Sequence, residues 1–302
     1  MRLNNANFQL DDFHPKIVDN LILALEYLGA DENTPVFYSH SGGQGVIFTL
    51  KIDKYDFPLM IKIPYYDRHP SEEIAEHGTI KEGRIAKILS DMNLKIAPTF
   101  ITYEPSGLYF IREYVSGQEL EDVILKSSEK ERDAILLQEF ELVKMVFKGF
   151  HHNNIEHCVI RDLKPRNLIY TDDKKLYFID YGSVRPESNM VSKDKTKAIK
   201  RFGNGHFLHW PIEQLIEDKE HLDHRLDYFA WGVMAYFTLF LERPFTNSFT
   251  DVEIAKREYA KQYQVAISRL KEAQKAGRLS EFLCNNIIHS LDVNPAKREF
   301  IE

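Results

Sequence analysis

An α+β fold with its strands gathered early is predicted from three features of this 302-residue chain. Short apolar runs of strand type, Leu59–Ile63 and Leu108–Val115, fall in the first 115 residues together with a glycine-rich turn. After them come long apolar stretches of helical character, 131–152 and Tyr228–Leu241. The length lies near the size at which one core stops growing and chains divide, so more than one compact part is expected.

Composition narrows the class. With 43% hydrophobic and 28% charged residues the chain reads as an ordinary soluble globular protein. A net charge of −7 provides no field that would attract nucleic acid. Cys158 and Cys284 stand far apart with no metal-ligand spacing, which argues for a reducing compartment and against a disulfide framework. The start lacks the apolar run of a signal peptide, and Tyr228–Leu241 is too short to span a bilayer. The expected setting is therefore cytoplasmic, in the protein's own cell or in the cytosol of a host.

The elements follow in order. Ile17, Val18, Leu21, Ile22, Leu25 and Leu28 recur at helical spacing over 14–28, and Gly29 supplies a stop. The run His40–Phe48 contains Gly42, Gly43 and Gly45, and glycines in a tight hairpin let backbone N–H groups approach phosphates. Lys62 is the one charge in the apolar run Leu59–Ile63, and a buried ammonium there needs an anionic partner. Residues 71–89 read as a helix, and Leu108–Gly117 as a strand leading into a connection. The strongly apolar helix 131–152 follows, and His151, His152 and His157 near its end lack the companions of a metal site. They read as helix-end residues.

The densest chemistry lies in Ile160–Asn167 and Tyr177–Gly182. Two short apolar runs between them, split by the polar turn Thr171–Lys175, predict a β-hairpin that brings Asp162, Lys164 and Asn167 towards Asp180. Two carboxylates, an amide oxygen and an ammonium suit Mg²⁺ and a nucleotide's phosphates, because Mg²⁺ prefers hard oxygen ligands and shares them with phosphate.

These residues resemble the motifs of the eukaryotic-type Ser/Thr protein kinases, whose catalytic loop reads H-R-D-L-K-x-x-N and whose metal loop reads D-F-G. Here they are Ile160-Arg161-Asp162-Leu163-Lys164-Pro165-Arg166-Asn167 and Asp180-Tyr181-Gly182, with Ile160 for the histidine and Tyr181 for the phenylalanine. Both departures keep an apolar or aromatic side chain at a position that packs internally in that family. The divergence resembles bacterial, phage or secreted effector kinases more than animal ones.

The resemblance covers 36–300 and implies a two-lobed, protein-kinase-like fold. An antiparallel β-sheet N-lobe with one main helix would occupy 36–115, and a mostly helical C-lobe 116–302, after a helical extension at 1–35 that packs on the lobe or, alternatively, serves an interaction. It implies ATP and Mg²⁺ as cofactors and a protein substrate with a Ser/Thr acceptor, with autophosphorylation. Gly42, Gly43, Gly45 and Ile47 would line the phosphate loop, with His40 in place of its first glycine. Lys62 would orient the phosphates, held by Glu82, seven residues before Leu89, with Glu76 on the neighbouring helical position as the alternative. Backbone groups of Glu113 and Val115 would hold adenine. Asn167 and Asp180 would bind Mg²⁺, Asp162 would take the substrate's proton, and Lys164 would steady the γ-phosphate.

Two departures touch the nucleotide. Met60 replaces a small alanine and Arg112 an apolar residue: either the adenine pocket is tightened and the arginine paired with a carboxylate, or nucleotide binding is weak. Residues 183–210 resemble an activation loop, with Ser192 and Thr196 as phosphorylation candidates and Arg161 as the group that grips the phosphate. Alternatively the stretch is a solvated basic loop, or one that favours acidic substrates. Trp210–Leu215 resembles the A-P-E end of that segment, and Arg298 would pair with Glu213. Asp227 would hydrogen-bond the catalytic-loop backbone. Two other readings share the fold: a pseudokinase acting as a scaffold, and a small-molecule kinase of the aminoglycoside-phosphotransferase type.

Overall fold

The computed structural model describes residues 9–31, 33–41, 45–69, 71–92, 96–151, 158–186, 211, 213, 222–246 and 252–301. They belong to two compact units. One comprises Met1–Ser116 with Tyr177–Gly182, the other Gly117–Leu176 with Ser183–Glu302. The division does not follow chain order, because the six residues around Asp180 fold with the N-terminal part.

The N-terminal unit has three layers. Helix α1 (Pro15–Leu28) begins with proline at its first position, where no amide partner is lost, and ends on Gly29 at φ +71°. Strands β1 (Val36–Ser41), β2 (Gly45–Leu50) and β3 (Leu59–Pro64) are followed by helix α2 (Glu72–Asp91) and strands β4 (Phe100–Tyr103) and β5 (Phe110–Glu113). They form an antiparallel sheet in the order β1-β2-β3-β5-β4.

The period-2 alternation of β3 gives the sheet two different faces. Leu59, Ile61 and Ile63 join Val46, Phe48, Leu50 and Ile111 in one apolar core with Ile17, Leu21, Ala24, Leu25 and Leu28 of α1. The extension is thus an integral layer of this unit. Asn20 of α1 also donates from Nδ2 to the Tyr66 hydroxyl at 2.6 Å, inside that core. The register puts Thr49, Met60 and Arg112 in one row and Ile47, Lys62 and Phe110 in the next, all on the opposite face.

Helix α2 is seated by glycines. A Cβ on Gly83 would lie 2.6 Å from Tyr103 Cβ, so helix and β4 meet only because that position is bare. Gly107, at φ +86° in the β4–β5 turn, would carry a Cβ 2.3 Å from the Glu76 carbonyl oxygen.

The C-terminal unit is mostly helical. It contains β6 (Gln118–Glu119), α3 (Leu120–Lys126), α4 (Glu129–His151), β7 (Cys158–Val159) and β8 (Leu168–Tyr170). Strand β9 (Leu176–Phe178) passes into the other unit; after it come β10 (Arg185–Pro186), α5 (Arg225–Phe240), α6 (Val252–Lys275) and α7 (Glu281–Ser290). Between β8 and β9 a tight turn closes with Thr171 N–H donating to the Lys175 carbonyl at 3.0 Å. Helix α5 is buried almost all round and packs on α4 and α7; Trp231 stacks obliquely on Phe140 at 5.7 Å. Among the described residues no helix is long and apolar enough to cross a membrane.

Candidate active site

In the N-terminal unit the site face of the sheet carries Lys62 to α2, where its Nζ lies 2.6 Å from Glu82 Oε2. Their side chains are 12% and 3% exposed, so each charge depends on the other for solvation. Burial works against the Lys62 ammonium, but the carboxylates of Glu82 and Asp180 outweigh it and hold its pKa above the ordinary lysine range. Helical phase selects the partner: Glu82 is buried, whereas Glu76, six residues earlier and so about 120° away around α2, is only partly buried.

Asp180 belongs to the same unit. Its Oδ1 accepts the Gly182 N–H at 3.0 Å, a local turn that orients the carboxylate. Tyr181 is fully buried, lies edge-on to Phe178 at 5.2 Å, and donates its hydroxyl to the Phe178 carbonyl at 2.7 Å. The tyrosine thus fills an apolar site while its polar tip is satisfied.

Arg112 departs from the expectation of a carboxylate partner. No ion pair to it occurs among the described residues; its Nη1 donates to the Glu113 carbonyl at 2.9 Å and its Nη2 to the Ile179 carbonyl at 3.4 Å. Burial pulls the guanidinium pKa down while Tyr181, Glu82 and Asp180 support the charge. The Glu113 carbonyl assigned to adenine therefore already accepts one hydrogen bond, although a carbonyl has room for a second. Glu113 N–H donates to Thr99 O at 2.8 Å, and its carboxylate takes Thr99 N–H and Oγ1–H. Val115 is buried. Gly45 has a packing reason of its own, since a Cβ there would lie 2.6 Å from the Ile63 carbonyl oxygen. Ile47 pairs directly opposite Lys62.

In the C-terminal unit the geometry is that of a pinned loop. Lys164 Nζ lies 2.8 Å from Asp162 Oδ2, and Asn167 Nδ2 donates to both the Asp162 carbonyl at 2.7 Å and Oδ2 at 3.1 Å. This commits the NH₂ end of Asn167 to Asp162, leaving the amide oxygen as the end that could meet a cation. The loop is strained at Arg161, whose φ is +70°. Asp227, fully buried at the start of α5, holds it there: its carboxylate accepts Ile160 N–H at 2.8 Å and Arg161 N–H at 2.9 Å. His151, at the end of α4, places Nε2 2.9 Å from the same carboxylate. Glu213 and Arg298 form a buried ion pair.

Gly42, Gly43, Ser192, Thr196, His152 and His157 lie outside the described residues. Sequence reasoning overlooked three groups. Lys81 Nζ donates to the Gly182 carbonyl at 3.1 Å, and nothing in its exposed-type sequence context signals it. The His151–Asp227 contact is equally silent. Glu139 is buried in α4 beside Thr238, and there a signal existed, because 139 falls on the apolar stripe of Ile135, Leu136, Phe140 and Val143.

The chain matches the protein kinase domain family over residues 41–301, nearly its whole length, and it belongs to that family. Among curated proteins it is similar to the serine/threonine-protein kinase ppk25 of Schizosaccharomyces pombe, 28% identical over 66% of this chain and 42% of that protein. It is 28% identical to the serine/threonine-protein kinase MRCK gamma of Mus musculus over 81% of this chain and 14% of that protein. The tyrosine-protein kinase MasK of Myxococcus xanthus is 26% identical over 68% of this chain and 32% of that protein. The chain thus spans less than half the length of these relatives.

Proposed function

We propose that this protein is an ATP- and Mg²⁺-dependent kinase that transfers the γ-phosphoryl group to serine or threonine of a protein, itself included. The observation that carries this reading is Asp162, an acceptor carboxylate gripped by Lys164 and Asn167 on a loop pinned by Asp227.

Phosphoryl transfer asks mainly for positioning and charge neutralisation. Lys62, kept charged by Glu82, orients the α- and β-phosphates. Asp162 accepts the proton of the attacking hydroxyl as its oxygen bonds to the γ-phosphorus, and the bond to the β-bridging oxygen breaks to leave ADP. Lys164 neutralises charge on the moving phosphoryl. The Asp180 carboxylate and the Asn167 amide oxygen are each the hard oxygen donor that Mg²⁺ takes, and each would hold the ion in a shell completed by phosphate and water. When bound, the ion offsets the negative charge of the phosphates. Serine or threonine is favoured by Lys164, two residues after Asp162, and by the likeness to the serine/threonine-protein kinases ppk25 and MRCK gamma. Cys158 and Cys284, both buried and far apart in the sequence, suit a reducing cytoplasm.

One observation favours a second reading, a nucleotide-poor scaffold on the same fold: Arg112 occupies an acceptor site on the Glu113 carbonyl. Transfer of labelled phosphate from Mg²⁺-ATP to the protein and to generic acceptors decides between them, with Asp162→Ala and Asp180→Ala alongside. Label on serine or threonine that both variants lose supports the kinase. Equal silence of wild type and variants across many acceptors would replace it with the scaffold, and label on small molecules alone with a small-molecule phosphotransferase.

A further inference from the structure

Asp180 lies in a six-residue segment that folds with the N-terminal unit although the chain on both sides of it belongs to the other. The bonds that hold this segment identify its supports. Phe178 N–H donates to the Ile96 carbonyl at 2.8 Å, and the Tyr181 hydroxyl closes back on Phe178. Two more bonds come from side chains of other elements, and both donors are cations. Arg112 of β5 reaches the Ile179 carbonyl, directly before Asp180, and Lys81 of α2 reaches the Gly182 carbonyl, two residues after it.

Arg112 is an expensive choice for such a place. It is 6% exposed, and its Nε finds no hydrogen-bond partner among the described residues. An apolar side chain in the same row as Met60 would avoid that desolvation. What the guanidinium adds is its fork, one nitrogen on the Glu113 carbonyl and the other on Ile179, which ties the end of β5 to the Asp180 segment. We propose that Arg112 and Lys81 are positioning residues that clamp the carbonyls on either side of Asp180-Tyr181 and thereby present the Asp180 carboxylate to Mg²⁺. This rests on the reading of Asp180 as a metal-holding group.

Arg112→Met, Arg112→Lys and Lys81→Met test it in the full chain, and Lys81→Met, at a half-buried site, guards against an Arg112 variant that does not fold. In nucleotide-free protein, amide hydrogen exchange in the peptide covering 177–182 is expected to accelerate about tenfold in both methionine variants, while the peptide covering α5 stays at the wild-type rate. The Mg²⁺ concentration giving half of the ADP-induced rise in melting temperature is expected to increase several-fold. Arg112→Lys should recover part of both effects, since an ammonium can reach one carbonyl but not span two. Wild-type exchange in both methionine variants overturns the proposal, as does faster exchange with an unmoved Mg²⁺ midpoint. A wild type that binds Mg²⁺-ADP but transfers no phosphate overturns the catalytic reading alone. A wild type with no ADP-induced shift overturns both.

Discussion

Lys62 and Asp162 are the central charges of the two units, and they are held by different physics. Lys62 stands on a regular strand, and its position follows from layers: α1 on one face of the sheet, α2 on the other, and Glu82 at hydrogen-bond distance. Asp162 stands on an irregular loop with a left-handed residue at Arg161, and its position follows from one buried carboxylate, Asp227. The first arrangement has its support distributed over many apolar contacts. The second concentrates it in a few hydrogen bonds, so single substitutions should separate the two.

The largest effect is expected at Asp227. Asp227→Ala strips two loop amides and His151 of their acceptor and should destabilise the fold by about 3–5 kcal/mol, as a broken buried charge network does. Urea melts measure this, and a loss below about 1 kcal/mol would mean the loop holds its own strain. Next comes Glu82→Gln, which keeps the shape but leaves the Lys62 ammonium with only the Asp180 carboxylate for countercharge. A stability loss of about 2–3 kcal/mol is expected, with phosphate transfer down by about two orders of magnitude. If transfer falls while stability is unchanged, the pair serves positioning only, and the distributed support of the sheet carries the fold unaided.

A third substitution tests a cost inside the C-terminal unit. Burial pushes the Glu139 carboxyl up to about 8 from an ordinary 4.5, so it is neutral at pH 7. The Thr238 hydroxyl, 2.8 Å from Glu139 Oε1 and 3.1 Å from the Met234 carbonyl, has one proton for two acceptors; a protonated Glu139 resolves the conflict by donating. Between pH 4.5 and 8 the unfolded chain is ionised at this residue and the folded one is not. Stability therefore declines with rising pH across that window, by at most about 1.4 kcal/mol per unit, and levels off above it. Glu139→Gln should match wild type at pH 4 and exceed it at pH 8.5 in thermal melts. A parallel pair of pH profiles would show that the group ionises freely.

The smallest effect is expected at the ion pair between Lys16 of α1 and Glu72 of α2, whose side chains are 44% and 54% exposed. Lys16→Met should change stability by less than about 0.5 kcal/mol, because solvent screens such pairs. A larger loss would mean that α1 is attached by charge rather than by its apolar face.

Much of this molecule could be read from residue order, and the readable part has a common cause. The α1 stripe, the lone charge in β3, the polar turn at 171–175 and the motif residues of 160–182 are local patterns, in which spacing encodes the buried face or the turn. The seating of α2 was less legible, since Gly83 and Gly107 reveal their purpose only when Tyr103 and the Glu76 carbonyl are seen against them. Arg112 stands out in the sequence as a charge at an apolar position, but its partners are the carbonyls of Glu113 and Ile179 and not the expected carboxylate.

Amino-acid order alone therefore settled α1, β3, α2, α4, α5, the turn at 171–175 and the residue types of the site, because helix and strand periods act over a few residues. Folding seated Glu82 against Lys62, set Asp227 beneath the loop at Arg161 and joined Lys81 and Arg112 to the Asp180 segment. Those pairings span 20 to 101 positions of chain. Strand order and helix phase bring such residues together, and no local pattern carries that information.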